Sequence, residues 1–164
     1  MGAAALAALL GFGALATGAE DRVPVPVSFD EWQQKLDGWQ GDIVVVDMWA
    51  TWCSSCLVRF PKMVELHDAY ASKGVRFVSL CLDDRDDAEA LAFAARFLEK
   101  QRAPFEHYLM NEKLMVAFEK LDLLGIPAVV IYRRDGEEAA RLTGDNPNDQ
   151  FDDRDIEEAV KTLL

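Results

Sequence analysis

Basic residues, histidines and cysteines are all scarce in this chain of 164 residues. Lys and Arg number 17 against 29 Asp and Glu, giving a net charge of −12. A field of that sign repels phosphate backbones and anionic headgroups, which argues against nucleic acid as a partner and against loose adsorption to lipid. Histidine occurs twice, at His67 and His107, and cysteine three times. A structural zinc site ordinarily takes four ligands, commonly two cysteine pairs or one pair with spaced histidines, and no second paired motif is present. No metal or organic cofactor is therefore expected. Internal repeats are also lacking, as are low-complexity segments after residue 19. With 51% hydrophobic and 28% charged residues the composition is that of a globular chain, of a length suited to one domain.

Charge is absent altogether from residues 1–19, "MGAAALAALLGFGALATGA", and begins at once with Glu20, Asp21 and Arg22. An apolar Ala/Gly/Leu run with no polar face, ending in small residues, reads as a signal peptide or a membrane anchor rather than a core helix. Either places the remainder outside the cytoplasm. The expected division is a leader over 1–19, a linker over 20–27 and a folded domain over 28–164. In the linker, Pro24 and Pro26 exclude a helix.

Ser28 followed by Glu31 forms a candidate capping box for a short helix closing at Gly38. Ile43–Trp49, "IVVVDMW", and Val75–Leu82, "VRFVSLCL", are continuous apolar runs of the kind found in strands covered on both faces. Between them Phe60, Met63, Val64, His67 and Tyr70 recur at helical spacing. His67 belongs to that stripe and reads as a packing residue. Asp83–Arg102 reads as a helix whose acidic start, Asp83–Asp87, is a solvated face. A short strand over Pro104–Met110 and a helix over Glu112–Leu121 follow. An Asp135-Gly136 turn then joins Ala128–Arg133 to Glu138–Leu142 in a hairpin, and Asp153–Leu164 closes the chain as an amphipathic helix. Strands alternating with helices and finishing in an antiparallel pair imply an α/β domain with a mixed central sheet flanked by helices.

Two of the three cysteines, Cys53 and Cys56, sit three positions apart where the first buried strand gives way to a helix. The positive end of that helix favours a thiolate at Cys53. One turn later Cys56 can close a small ring with it, which suits reversible disulfide exchange: one sulfur attacks and the other resolves. Metal binding and a purely structural disulfide are the competing readings. The first lacks ligands, and the second would constrain little chain. The strand–CxxC–helix setting favours redox use. Cys81, in the second core strand, reads as a small buried hydrophobe.

"VVVDMWATWCSSC", Pro61 five residues after Cys56, and "GIP" at Gly125–Pro127 ahead of a strand and hairpin together resemble the thioredoxin fold. The leader, "VSLCLDD" and the long helical insertion before Ile126-Pro127 resemble most the exported TlpA/ResA-type thiol–disulfide oxidoreductases. The resemblance implies a thioredoxin-like fold with an insertion helix between the second core strand and the cis-proline strand. It implies that Cys53 attacks and that Cys56, more buried, resolves. Pro127 matches the family's cis-proline, with Ile126 binding an extended partner chain, and Asp47 matches the buried acid that takes the proton of the resolving cysteine. Trp49 and Trp52 match the aromatic residues flanking the motif, Trp52 as a substrate-binding residue. Two positions depart from the ResA-type pattern. Arg59 stands where a Glu is common, and Asp47 stands where many members are neutral.

The expected activity is disulfide exchange with proteins of the cell envelope, as a reductase, with protein thiols and disulfides as partners, a membrane electron donor and a monomeric state. The Ser54-Ser55 pair between the cysteines, with hydroxyls able to bond a thiolate, leaves the direction of electron flow open. Two rivals are a thiol-dependent peroxidase of the same fold and a non-enzymatic metal-delivery or binding module.

Overall fold

Seven consecutive buried residues make up the strand β2, Ile43–Trp49, at the centre of a six-stranded sheet. In the computed structural model, which describes residues 23–146, 148 and 150–164, the elements run as follows. Strand β1 is Val25–Val27 and helix α1 is Phe29–Gly38. After β2 come α2, Ser54–Tyr70, a single 3₁₀ turn at Ala71–Lys73, and β3, Val75–Cys81. Then follow α3, Ala88–Gln101, β4, Glu106–Met110, α4, Leu114–Lys120, the hairpin strands β5, Ala128–Tyr132, and β6, Glu138–Thr143, and finally α5, Asp153–Lys161. The sheet order is β1-β4-β3-β2-β5-β6, parallel from β1 to β2 and antiparallel from β2 to β6.

Alternation along β2 divides the core. Ile43, Val45 and Trp49 enter a cluster with Phe60, Met63 and Leu66 of α2, Ala94 and Leu98 of α3, and Ile156 and Val160 of α5. Val44, Val46 and Met48 enter the other, with Trp32 of α1 and Ala117 of α4. Burial of both faces is why β2 reads as an unbroken apolar run rather than an alternating one. The mixed sheet flanked by helices that the sequence implied is the observed architecture.

The Ser28–Glu31 capping box is complete, with the Ser28 hydroxyl accepting from the Glu31 amide and the Glu31 carboxylate accepting from the Ser28 amide. Gly136 turns the β5–β6 hairpin at φ +87°, a conformation in which a side chain is strained. Two boundaries differ from the sequence reading. The last three residues of the expected linker 20–27 pair in parallel with Tyr108–Met110, so Val25–Val27 belongs to the sheet. An edge strand is where a proline-bearing segment can join a sheet, since one side of its backbone needs no partner. The acidic start of the last parallel crossover, between β3 and β4, is likewise not a solvated helix face. Helix α3 begins at Ala88, where the Asp87 carboxylate caps the amides of Glu89 and Ala90, and Asp83 turns inward instead. The leader expected over 1–19 lies outside the described residues. Among those described, no helix is long and apolar enough to cross a membrane.

Candidate active site

Parallel strands deliver their C-terminal ends to one edge of the sheet, and the loop after β2 carries the cysteines there. Cys53 is the N-cap of α2, and its sulfur accepts from the Cys56 amide at 3.3 Å. Cys53 and Cys56 are joined in a disulfide across a Cα separation of 5.3 Å. Cys56 is fully buried and Cys53 retains 6% exposure, so Cys53 is the more accessible residue of the pair. The Ser55 hydroxyl lies 3.5 Å from the Cys53 sulfur. Helix start, amide and hydroxyl all face this one sulfur and stabilise negative charge on it, the environment that favours a thiolate.

Because β5 runs antiparallel to β2, with Met48 opposite Ala128, the residues just before β5 reach the same edge. These are Ile126 and Pro127, joined by a cis peptide bond. Ile126 packs against the core cluster that contains both active cysteines, and the Pro127 carbonyl accepts from the Gly144 amide at 2.8 Å. Trp52 and Leu124 flank the cysteines and this turn in sequence, exposed by 55% and 86%. The two tryptophans thus separate: Trp52 faces solvent, whereas Trp49 is wholly buried between Phe60 and Phe97, with ring centroids 5.4 and 5.5 Å away.

Asp47 lies on β2 and is fully buried. Its Oδ1 accepts from Nη2 of Arg59, whose side chain is only 9% exposed and whose guanidinium stacks on Phe151 at 4.9 Å. Burial pushes the Asp47 carboxyl above the usual carboxylate range, and the Arg59 charge pulls the other way. The residue that departs from the ResA-type pattern is therefore the one that answers the buried acid. Across the sheet Asp47 stands beside Ser79, whose hydroxyl is 2.8 Å from Nδ1 of His107 on β4.

Asp83, assigned from sequence to a solvated acidic face, is 2% exposed and anchors the active-site loop. Its carboxylate accepts from the Thr51 amide, 3.1 Å from each oxygen, from the Thr51 hydroxyl at 2.9 Å, and from the Cys81 thiol at 3.0 Å. The parallel register that sets Trp49 beside Cys81, carried two residues further, sets Thr51 beside Asp83. That register was the available signal. Burial, with the Asp83 charge and hydrogen bond adding to it, holds the Cys81 thiol well above its ordinary pKa. Cys81 is accordingly a packed donor and not a third reactive sulfur. His67 packs edge-on to Phe77 with ring centroids 5.9 Å apart, as its place in the helix stripe implied. Among the described residues, no group of three or more His, Cys, Asp or Glu is placed to hold a metal ion.

A family model described as thioredoxin-like matches residues 41–138, which include Asp47, both cysteines and Pro127. The chain belongs to the thioredoxin-like family. Among named relatives, it is 37% identical over 54 residues to the thiol-disulfide oxidoreductase ResA of Oceanobacillus iheyensis, covering 33% of this chain and 28% of that protein. It is 29% identical over 106 residues to the thiol:disulfide interchange protein DsbE of Haemophilus influenzae, covering 65% of this chain and 53% of that one. This thioredoxin-like chain thus matches at most about half the length of these two relatives. Its fold superimposes on a thiol:disulfide interchange protein of Chlorobium tepidum with a TM-score of 0.60 at 22% identity, over 77% of this chain and 83% of the other.

Proposed function

We propose that this chain is a thiol–disulfide oxidoreductase that reduces disulfides of other proteins. The observation that carries the reading is the Cys53–Cys56 pair at the start of α2, with Cys53 as the N-cap and the more accessible residue of the two. In the reduced chain the Cys53 thiolate attacks a partner disulfide. A mixed disulfide forms, and the first partner sulfur leaves as a thiolate and takes a proton. Cys56 then gives its proton to the Asp47 carboxylate as its sulfur attacks Cys53. The Cys53–Cys56 bond forms, the bond to the partner breaks, and the second partner thiolate leaves. Two electrons pass from the chain to the partner.

Trp52, Ile126 and Pro127 are assigned to holding the partner segment at the exposed edge around Cys53. The reducing direction is supported by Asp47, a buried carboxylate on the strand that leads into the cysteine loop and able to take the proton of the resolving thiol. A reductant must be recharged, and a membrane electron donor outside the cytoplasm is the proposed source, with residues 1–19 as export signal or tether and the domain acting as a monomer in the cell envelope. The peroxidase reading would need a Thr and an Arg free to bind peroxide. Thr51 is committed to Asp83 and Arg59 to Asp47.

Redox equilibration of the Cys53–Cys56 pair against glutathione or dithiothreitol tests the reading. A potential near that of thioredoxin, about −270 mV, is expected; one near about −120 mV would reverse the direction. Rapid turnover of hydrogen peroxide in the absence of any protein disulfide would replace the reading with the peroxidase.

A further inference from the structure

The Asp47–Arg59 pair joins two elements at the point where the resolving chemistry takes place. Arg59 lies three residues after Cys56 on α2, one helical turn on and on the same face. Asp47 reaches that face from β2, on the side of the sheet where Ile43, Val45 and Trp49 pack in one cluster with Cys56. The guanidinium holds Oδ1 alone, and Oδ2 of Asp47 has no hydrogen-bond partner among the described residues. One carboxylate oxygen is fixed and the other is open to accept a proton. Phe151, in the segment leading into α5, lies over the guanidinium and helps keep the pair from water.

We propose that Arg59 is a positioning residue for the resolving step: it holds one oxygen of Asp47 and keeps that carboxylate in its proton-accepting form, leaving the other oxygen for the proton of Cys56. The inference rests on the role given to Asp47 above. The groups packed around Asp47 support Arg59 as the source of the effect. From α2 comes Arg59, one turn after Cys56. From β3 comes Ser79, bonded in turn to His107 of β4, and from β5 the apolar Val129. Among the described residues, helices α3 and α5 bring apolar side chains to this cluster, Ala94, Phe97, Leu98, Ile156 and Val160 among them. Among the described residues, Arg59 is the one charged side chain acting on Asp47, and it opposes the effect of burial. Burial by itself favours the neutral acid, and the guanidinium beside Oδ1 favours the carboxylate.

The test uses 5,5′-dithiobis(2-nitrobenzoate) as the disulfide, with the reduced chain in rapid mixing. The first release of coloured thiolate reports attack by Cys53. The second reports resolution by Cys56, and its rate is followed against pH. In the unmodified chain the second phase rises along a limb set by Asp47, and Asp47→Asn is expected to abolish that limb. Arg59→Gln is expected to move the limb up by about one pH unit or more, which is about a tenfold loss of rate at fixed pH on it. Arg59→Lys, keeping the charge, is expected to restore most of it. A packing role for Arg59 would not produce that pattern. If Asp47→Asn abolishes the limb while Arg59→Gln leaves it in place, the Arg59 proposal falls and the Asp47 reading stands. If Asp47→Asn leaves the profile unchanged, both fall. If Arg59→Lys shifts the limb as far as Arg59→Gln, charge is not the cause and the proposal falls. Should Arg59→Gln fail to fold, the double variant with Asp47→Asn, which buries neither charge, carries the test. Its second phase is expected to match Asp47→Asn alone, and a further tenfold loss would show Arg59 acting directly on Cys56 and overturn the proposal.

Discussion

Asp83 sets the loop on which Cys53 depends, and it does so as a buried acceptor rather than as a surface charge. Replacing it by Ala leaves the Thr51 amide and hydroxyl and the Cys81 thiol without their acceptor. Orphaning buried donors of this kind costs about 1–3 kcal/mol. Asp83→Ala is expected to lose that much in urea unfolding. A midpoint unchanged from the unmodified chain would mean that the loop is held by something else. The two buried carboxylates were unequally visible in the sequence. Asp47 stood out as a lone charge within "VVVDMW", a costly place without a task. Asp83 was hidden among four neighbouring acids and bases, because nothing local distinguishes the one that turns inward. Arg59 was visible only as a departure from the ResA-type pattern, since its partner lies on another element, 12 residues back.

At the scale of elements, the question is what seats α2 so that Cys56 sits one turn behind Cys53. Phe60, on the same helix and fully buried, packs edge-on against Trp49 and Phe97 with ring centroids at 5.4 and 5.2 Å. Truncation of such a ring removes apolar contact and leaves a cavity. Phe60→Ala is therefore expected to cost about 3–5 kcal/mol, read as a fall in the denaturant midpoint with an unchanged slope. A loss under about 1 kcal/mol would show that α2 is held elsewhere. Elements defined by local pattern were readable: β2 from its apolar run, α1 from the Ser28–Glu31 box, and the hairpin from Asp135-Gly136. Those defined by distant pairing were not. Val25–Val27 is a strand only because β4 offers an edge 83 residues away in the chain, at Val25 opposite Tyr108. The start of α3 moved from Asp83 to Ala88 because Asp83 is drawn to Thr51.

For the whole molecule, pH exposes how the core is closed around its polar edges. Tyr132 is pushed up to about 12 by burial, with Glu138 adding to it, and Tyr108 likewise to about 12 by burial and Glu106. An unfolded tyrosine titrates near about 10. The folded values are raised, so the neutral phenols favour the fold: their contribution is complete below pH about 10 and is lost as pH rises through about 12. Thermal stability is expected to decline across that window, with phenolate absorbance rising in step with unfolding. Phenolate formation at pH about 10 in a chain that remains folded would contradict the burial of these rings. The architecture itself was legible because α/β alternation, two buried strands and the closing hairpin agree on one mixed sheet. Which helices share the face with the cysteines follows from the packing of α2, α3 and α5 into one cluster and became plain only in three dimensions.

The central claim, that Cys53 attacks and Cys56 resolves, is tested most directly by trapping. Reduced Cys56→Ala and Cys53→Ala variants would each be incubated with a disulfide-bonded protein and analysed by non-reducing electrophoresis and mass spectrometry. Cys56→Ala is expected to accumulate a mixed disulfide through Cys53, and Cys53→Ala to accumulate none. Equal trapping by both variants, or by neither, would contradict the assignment.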